Sequence, residues 1–117
     1  IHLAEHCNLN CAGCNHFSPL AAPELVDTEE FRRDIERLAV LFNHDADGIG
    51  LLGGEPLLHP DIVTLIEIVR KNFPDTRLNI ITNGIILAQN TGRGGGMINS
   101  GRHVMITKYL LMLHTIP

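Results

Sequence analysis

The sequence predicts an α/β fold in which parallel strands alternate with helices. Short apolar runs and segments of helical periodicity follow one another as strand, helix, strand, helix, strand between Ile1 and Thr82. Chains of this pattern form right-handed βαβ units with parallel strands. A motif of cysteines, glycines or polar residues follows each predicted strand. Because parallel strands end at one edge of a sheet, we expect these motifs to share that edge.

The first strand is predicted within Ile1–Glu5 and the first helix between Asp27 and about Asn43. Asp27 with Glu30 three residues later has the pattern of a capping box at a helix N-terminus. Apolar residues then recur at helical spacing, and this stripe predicts the buried face of the helix. The stripe consists of Phe31, Ile35, Leu38, Ala39 and Phe42.

The second strand is predicted at Ile49–Leu52, bounded by a Gly-Gly-Glu-Pro turn. The second helix is expected to carry Pro60 at its first helical position and to stop at Phe73-Pro74. The third strand is predicted at Leu78–Thr82, closed by an Asn-Gly pair and left with an unpaired outer edge.

The chain is expected to divide into a structured part and a less regular C-terminal part. Residues 1–89 carry the strand and helix pattern, 90–103 are a glycine-rich linker or disrupted segment, and 104–117 are an apolar tail. Ile106–Tyr109 is a candidate fourth strand within this tail. Because the chain starts at Ile1 without an initiator Met, we expect a fragment boundary there.

Composition argues against two classes of partner. The formal net charge is -4, and the longest basic cluster is the pair Arg32-Arg33, so nucleic-acid binding has little electrostatic support. The most apolar stretch, Val104–Leu113, is too short for a membrane span and contains Lys108. All three cysteines lie within eight residues, which is typical of metal or redox chemistry rather than a disulfide framework. We expect a cytoplasmic protein in a reducing compartment.

Cys7, Cys11 and Cys14 form a Cx3Cx2C motif that places three thiols in one loop. Soft thiolates suit an iron-sulfur cluster or zinc. In a cubane cluster, three protein thiolates would leave the fourth iron open to another ligand. The alternatives are a structural zinc site completed by His6 or His16, and a thioredoxin-like CxxC pair, which would leave Cys7 without a role.

The Gly53-Gly54-Glu55-Pro56 turn is the second candidate site. Its glycines allow a close backbone approach and Pro56 fixes the exit of the turn, so main-chain carbonyls can face a ligand amine. The alternative is an ordinary turn between a strand and a helix.

In combination, these motifs resemble the opening of a radical S-adenosylmethionine (SAM) domain. Cx3Cx2C follows the first strand, GGEP with Leu57-Leu58-His59-Pro60 follows the second, and Thr82-Asn83-Gly84 follows the third. The resemblance covers Leu3 to about Gln89. It implies the first half of a partial, TIM-like (βα) barrel, in which each of the three cysteines binds one iron of a 4Fe-4S cluster.

The same resemblance implies a radical SAM enzyme that cleaves SAM reductively to a 5'-deoxyadenosyl radical, with catalytic residues and substrate unknown. SAM would bind the fourth iron through its amino and carboxylate groups. The implied cofactor-binding residues are Gly53, Gly54, Glu55, Pro56, Thr82 and Asn83. The implied partners are a small-molecule or peptide substrate and a reductant such as flavodoxin or ferredoxin.

Two expectations refine this prediction. Many family members carry an aromatic residue before the third cysteine, and this chain has Gly13 there, so Phe17 is the candidate for packing against adenine. If Gly54 presents its carbonyl to the SAM amine, Gly54→Val should weaken SAM binding and spare the cluster. The alternatives are a non-enzymatic zinc or iron-sulfur module, and a fragment that is inactive because it lacks the rest of its barrel.

Overall fold

The computed structural model describes residues 1–90 and 104–108, so the predictions for 91–103 and 109–117 fall outside the described residues. Four strands form one sheet: β1 (His2–Ala4), β2 (Gly48–Gly53), β3 (Arg77–Thr82) and β4 (Val104–Lys108). The helices are α1 (Thr28–Leu41), α2 (Ile62–Asn72) and α3 (Ile85–Asn90), and short 3-10 helices span Ser18–Leu20 and Pro56–Leu58.

The strands lie in the sheet in the order β1-β2-β3-β4, and every neighbouring pair is parallel. Strands that follow chain order in a parallel sheet need crossover connections, and here α1 and α2 provide the first two. This is the arrangement of the first half of a partial (βα) barrel. The predicted fold class is therefore confirmed.

Helix α1 begins where the sequence predicts, because Asp27 caps it. The Asp27 carboxylate accepts hydrogen bonds from the backbone N–H groups of Glu29 at 3.0 Å and Glu30 at 2.9 Å, which would otherwise lack partners. The buried face contains Phe31, Ile35 and Ala39. The prediction that Phe42 belongs to this face is wrong: α1 ends at Leu41, and the Phe42 side chain is 55% exposed.

Helix α2 buries Ile62, Leu65, Ile68 and Val69 against the core. It starts later than the sequence suggests, since Asp61 is the N-cap and Pro60 lies in the preceding turn. The cause is buried His59, whose Nδ1 accepts the Asp61 N–H at 3.1 Å and holds these residues in the turn. The predicted stop is confirmed, with Phe73 as the C-cap.

The outer edge of β3 differs from the prediction. Strand β4 pairs with β3 in parallel from Leu78–Val104 to Thr82–Lys108, so this edge is not unpaired.

Helix α3 was also not predicted, because its six residues are too few to establish a helical period. Among the described residues, no helix is long and apolar enough to cross a membrane.

Candidate iron-sulfur and cofactor site

The loop that carries the cysteines lies directly on the turn after β2. The Gly54 N–H donates to the Ala4 carbonyl at 2.8 Å, and the Glu55 N–H donates to the His6 carbonyl at 3.0 Å. These bonds extend the contact between β1 and β2 up to the residue before Cys7. The first two predicted motifs therefore meet at the carboxyl edge of the sheet.

The two glycines of the turn permit this close approach. Gly53 has φ +150°, and a Cβ there would collide with the Ala4 carbonyl oxygen. A Cβ at Gly54 would collide with the His6 carbonyl oxygen, in the segment that leads into Cys7. This contact favours a different expectation from the one above: a side chain at Gly54 would press on the His6 carbonyl next to Cys7, so a substitution there should affect the cluster as well as SAM.

Glu55 connects the turn after β2 to the end of β3. It is fully buried, and its Oε1 accepts hydrogen bonds from the Thr82 hydroxyl at 2.6 Å and from the Leu57 N–H at 3.0 Å. Its Oε2 accepts from the Asn83 N–H at 2.8 Å. Both oxygens of this buried group therefore have hydrogen-bond partners, as buried polar atoms require.

Thr82 and Asn83 complete the connection between the three motifs. The Thr82 hydroxyl, while donating to Glu55, accepts the Gly84 N–H at 3.0 Å. The Asn83 side chain donates through Nδ2 to Cys7 Sγ at 3.5 Å and to Asn8 Oδ1 at 2.8 Å. All six residues predicted to bind cofactor thus lie at one edge with the cysteine loop, and their direct contact with SAM stays a prediction.

The environments of Cys7 and Cys14 shift their thiol pKa values in opposite directions. Burial raises the pKa of Cys7, although hydrogen bonds from the Leu9 N–H and the Asn83 amide oppose this. Burial also acts to raise the pKa of Cys14, but backbone N–H donors of Ser18 and His16 outweigh it, and that pKa is lowered. Cys14 therefore ionises more readily than Cys7.

Two residues near Cys14 have left-handed backbone conformations. Gly13 has φ +72° and Phe17 has φ +53°, and the Phe17 N–H closes a turn onto the Cys14 carbonyl at 3.1 Å. The positive φ of Phe17 is unusual for an aromatic residue. The Phe17 ring is 69% exposed beside the cysteine loop, where it is accessible to a ligand.

The donor set fits an iron-sulfur cluster, because soft thiolates are the ligands that such clusters take. Cys7, Cys11 and Cys14 are free and partly exposed. In the described part of the chain, no three His, Cys, Asp or Glu side chains come together around a point that could hold one metal ion. The candidate zinc ligand His16 packs its ring against His2. In a cubane each thiolate binds a different iron, so three sulfurs around a common point are not required.

The site contains residues for which the sequence alone predicts no role. Asn8 Oδ1 accepts a hydrogen bond from the Asn83 amide at 2.8 Å. The Leu9 N–H donates to Cys7 Sγ at 3.4 Å. His59 is buried, and its Nε2 lies 2.8 Å from the Val26 carbonyl, which ties the turn after β2 to the segment before α1. His59 belongs to the motif after GGEP, but the sequence does not predict its contact with Val26, because the two residues are 33 positions apart.

The fold and the site together define a class of α/β protein in which a parallel sheet carries three free thiols at its carboxyl edge. Within that class, the model of the radical SAM superfamily matches residues 1–93, and the chain belongs to this superfamily. The family prediction from the sequence is thereby confirmed.

The chain is similar to proteins of two names, of which three examples follow. Molybdenum cofactor biosynthesis protein 1 of Bos taurus is 41% identical over 93 residues, which are 76% of this chain and 14% of that protein. GTP 3',8-cyclase of Streptomyces coelicolor is 34% identical over 88 residues, or 73% of this chain and 25% of the relative. The probable GTP 3',8-cyclase of Pyrococcus abyssi is 36% identical over 87 residues, which are 74% of this chain and 27% of that protein. The matched region is therefore about a quarter or less of each relative.

The packing at Gly54 gives a testable prediction. We expect Gly54→Ala to lower both iron retention and the midpoint of urea unfolding, because its Cβ would push the His6 carbonyl and the following Cys7 away from the turn. Gly50→Ala is the matched control, since its Cβ would meet only a Leu52 methyl group at 4.0 Å. Full iron retention in Gly54→Ala, with only SAM binding weakened, would restore the original expectation.

Proposed function

We propose that this chain binds a 4Fe-4S cluster through Cys7, Cys11 and Cys14 and holds SAM beside it, as the cofactor-binding part of a radical SAM enzyme. The observation that carries the proposal is the continuous set of hydrogen bonds that joins the three motifs. Glu55 binds Thr82 and Asn83, and Asn83 binds Cys7. Residues from three strand ends thus form one hydrogen-bonded edge next to three thiols.

When bound, the reduced cluster and SAM supply the reductive cleavage of a carbon-sulfur bond, which gives methionine and a 5'-deoxyadenosyl radical that abstracts hydrogen from substrate. The three cysteines are the only ones in the chain, so one iron of a cubane would have no thiolate from it. That iron would be open to a ligand from outside the protein, and SAM would supply that ligand.

The residues of the turn divide into two roles in this proposal. The side chains of Glu55 and Thr82 are buried and bonded to each other, and they fix the shape of the turn. Gly54 is only partly buried, so its main chain can face the SAM amine while Gly53 and Pro56 set the backbone path. Phe17 is the candidate contact for adenine, because its exposed ring lies next to the cysteine loop.

The reaction partners belong to the same proposal. An electron donor such as flavodoxin or ferredoxin would reduce the cluster, and the substrate would be a small molecule or a peptide. GTP is the first compound to test, because it is named in the GTP 3',8-cyclases to which the chain is similar. Three closely spaced free thiols suit a reducing compartment, for which we propose the cytoplasm.

SAM binding tests this proposal separately from the cluster. Equilibrium dialysis of SAM against the anaerobically reconstituted chain should give one bound SAM per cluster, and the same chain without iron should bind far less. Quantification of 5'-deoxyadenosine after dithionite reduction, with and without GTP, then measures cleavage. SAM binding that is absent, or equal with and without the cluster, would contradict the proposed site.

A further inference from the structure

Hydrogen bonds from the backbone and from the side chain hold Asn83 in one orientation. Its backbone N–H donates to Glu55 Oε2 at 2.8 Å, and its side-chain Oδ1 accepts the Ile85 N–H at 3.0 Å. A backbone N–H can only donate, so the atom that faces Ile85 must be the amide oxygen. The amide nitrogen therefore points to the opposite side.

On that side lie the cysteine loop and its first thiol. Asn83 Nδ2 is 3.5 Å from Cys7 Sγ and 2.8 Å from Asn8 Oδ1. The two N–H bonds of an amide can serve both acceptors at once. Cys7 Sγ also accepts the Leu9 N–H at 3.4 Å, so two N–H donors converge on this sulfur.

We propose that Asn83 is a positioning residue that sets the reduction potential of the cluster through its hydrogen bond to Cys7. The inference rests on the proposed function, because it needs a cluster bound by this thiolate. Hydrogen bonds to the sulfurs are among the features that set iron-sulfur potentials. An N–H donor withdraws charge from the thiolate, stabilises the more negative reduced state, and so raises the potential.

The position of Asn83 makes this donor independent of the cysteine loop. It follows β3, is separated from Cys7 by 76 residues in the chain, and is anchored by the buried Glu55. The Leu9 donor, in contrast, belongs to the loop and moves with it. Asn83 therefore also fixes where Cys7 sits relative to the turn after β2.

The test is a redox titration of the reconstituted full chain, followed by the electron paramagnetic resonance signal of the reduced cluster. Asn83→Asp keeps an oxygen for the Ile85 N–H but replaces the donor that faces Cys7 with a second oxygen. We expect its potential to fall enough to raise the oxidised-to-reduced ratio about tenfold at a fixed applied potential, which is about 59 mV for one electron. Asn83→Ser should shift it in the same direction without added charge.

Asn15→Asp is the matched control, because it adds the same charge next to Cys14 at an exposed position without removing the Asn83 donor. Its shift should be clearly smaller than that of Asn83→Asp. Circular dichroism of each variant checks folding. If Asn83→Asp loses its cluster, the reduction potential of Asn83→Ser tests the inference instead. Equal shifts in the two Asp variants, or an unchanged potential in Asn83→Ser, would overturn the inference while the wild type still holds its cluster. A wild-type chain that holds no cluster would overturn the proposed function as well.

Discussion

Replacing Cys7, Cys11 or Cys14 with alanine is expected to abolish retention of the cluster. The chain contains three cysteines and therefore no spare thiol that could take the place of a lost ligand. Iron should fall from about four atoms per chain to below about one after desalting, because a cubane with one fewer protein ligand is released. Iron and acid-labile sulfide assays on each reconstituted variant measure this.

His16→Ala is the control for the cysteine variants. This histidine lies near the loop, but its ring packs against His2, so we do not expect it to bind the cluster. It should therefore retain about four irons. If a cysteine variant kept its cluster, or if His16→Ala lost metal as completely as the cysteine variants do, the assignment of the three thiols as ligands would be wrong.

Glu55→Ala is expected to cause the largest loss of stability among the variants of the turn. It would leave the Thr82 hydroxyl and the N–H groups of Leu57 and Asn83 without their acceptor. The Thr82 bond is buried and the other two are partly buried, so those two cost less to lose. Since an unsatisfied buried group costs about 1–3 kcal/mol, we expect the free energy of unfolding to fall by about 2–3 kcal/mol. Urea denaturation followed by circular dichroism measures the change.

Two further variants sharpen this prediction. Glu55→Gln keeps one oxygen, which can serve two of the three donors, so its loss should be smaller than that of Glu55→Ala. Glu67→Ala removes an exposed glutamate from α2 and should change stability by no more than about 0.5 kcal/mol. If Glu55→Ala were as stable as Glu67→Ala, the Glu55 bonds would not hold the edge of the sheet together.

The sequence predicts those elements whose signals are local. Asp27 caps α1 because its partners are two and three residues away, and the apolar period of α2 is contained within the helix itself. The prediction that Phe42 is buried in α1 is wrong because periodicity alone cannot mark the end of a helix. The prediction that Pro60 opens α2 is wrong because the buried His59 holds the chain in a turn. Helix α3 is too short to establish a period.

The site was predicted in its composition but not in its connections. The order of the three motifs identifies the edge of the sheet, since parallel strands end together. The bonds from Glu55 to Thr82 and from Asn83 to Cys7 span 27 and 76 residues, and no local pattern encodes them. Gly54 was expected to make room for a ligand, yet the nearest obstacle to a side chain is the His6 carbonyl of the same chain.

The metal content of the chain tests the central claim most directly. Anaerobic reconstitution with iron and sulfide, followed by desalting, should give about four irons and about four acid-labile sulfides per chain, with the broad visible absorption of an iron-sulfur cluster. The three half-buried thiols and the hydrogen-bond donors around Cys7 account for its retention. A chain purified without oxygen that contains one zinc, no sulfide and no such absorption would contradict the claim.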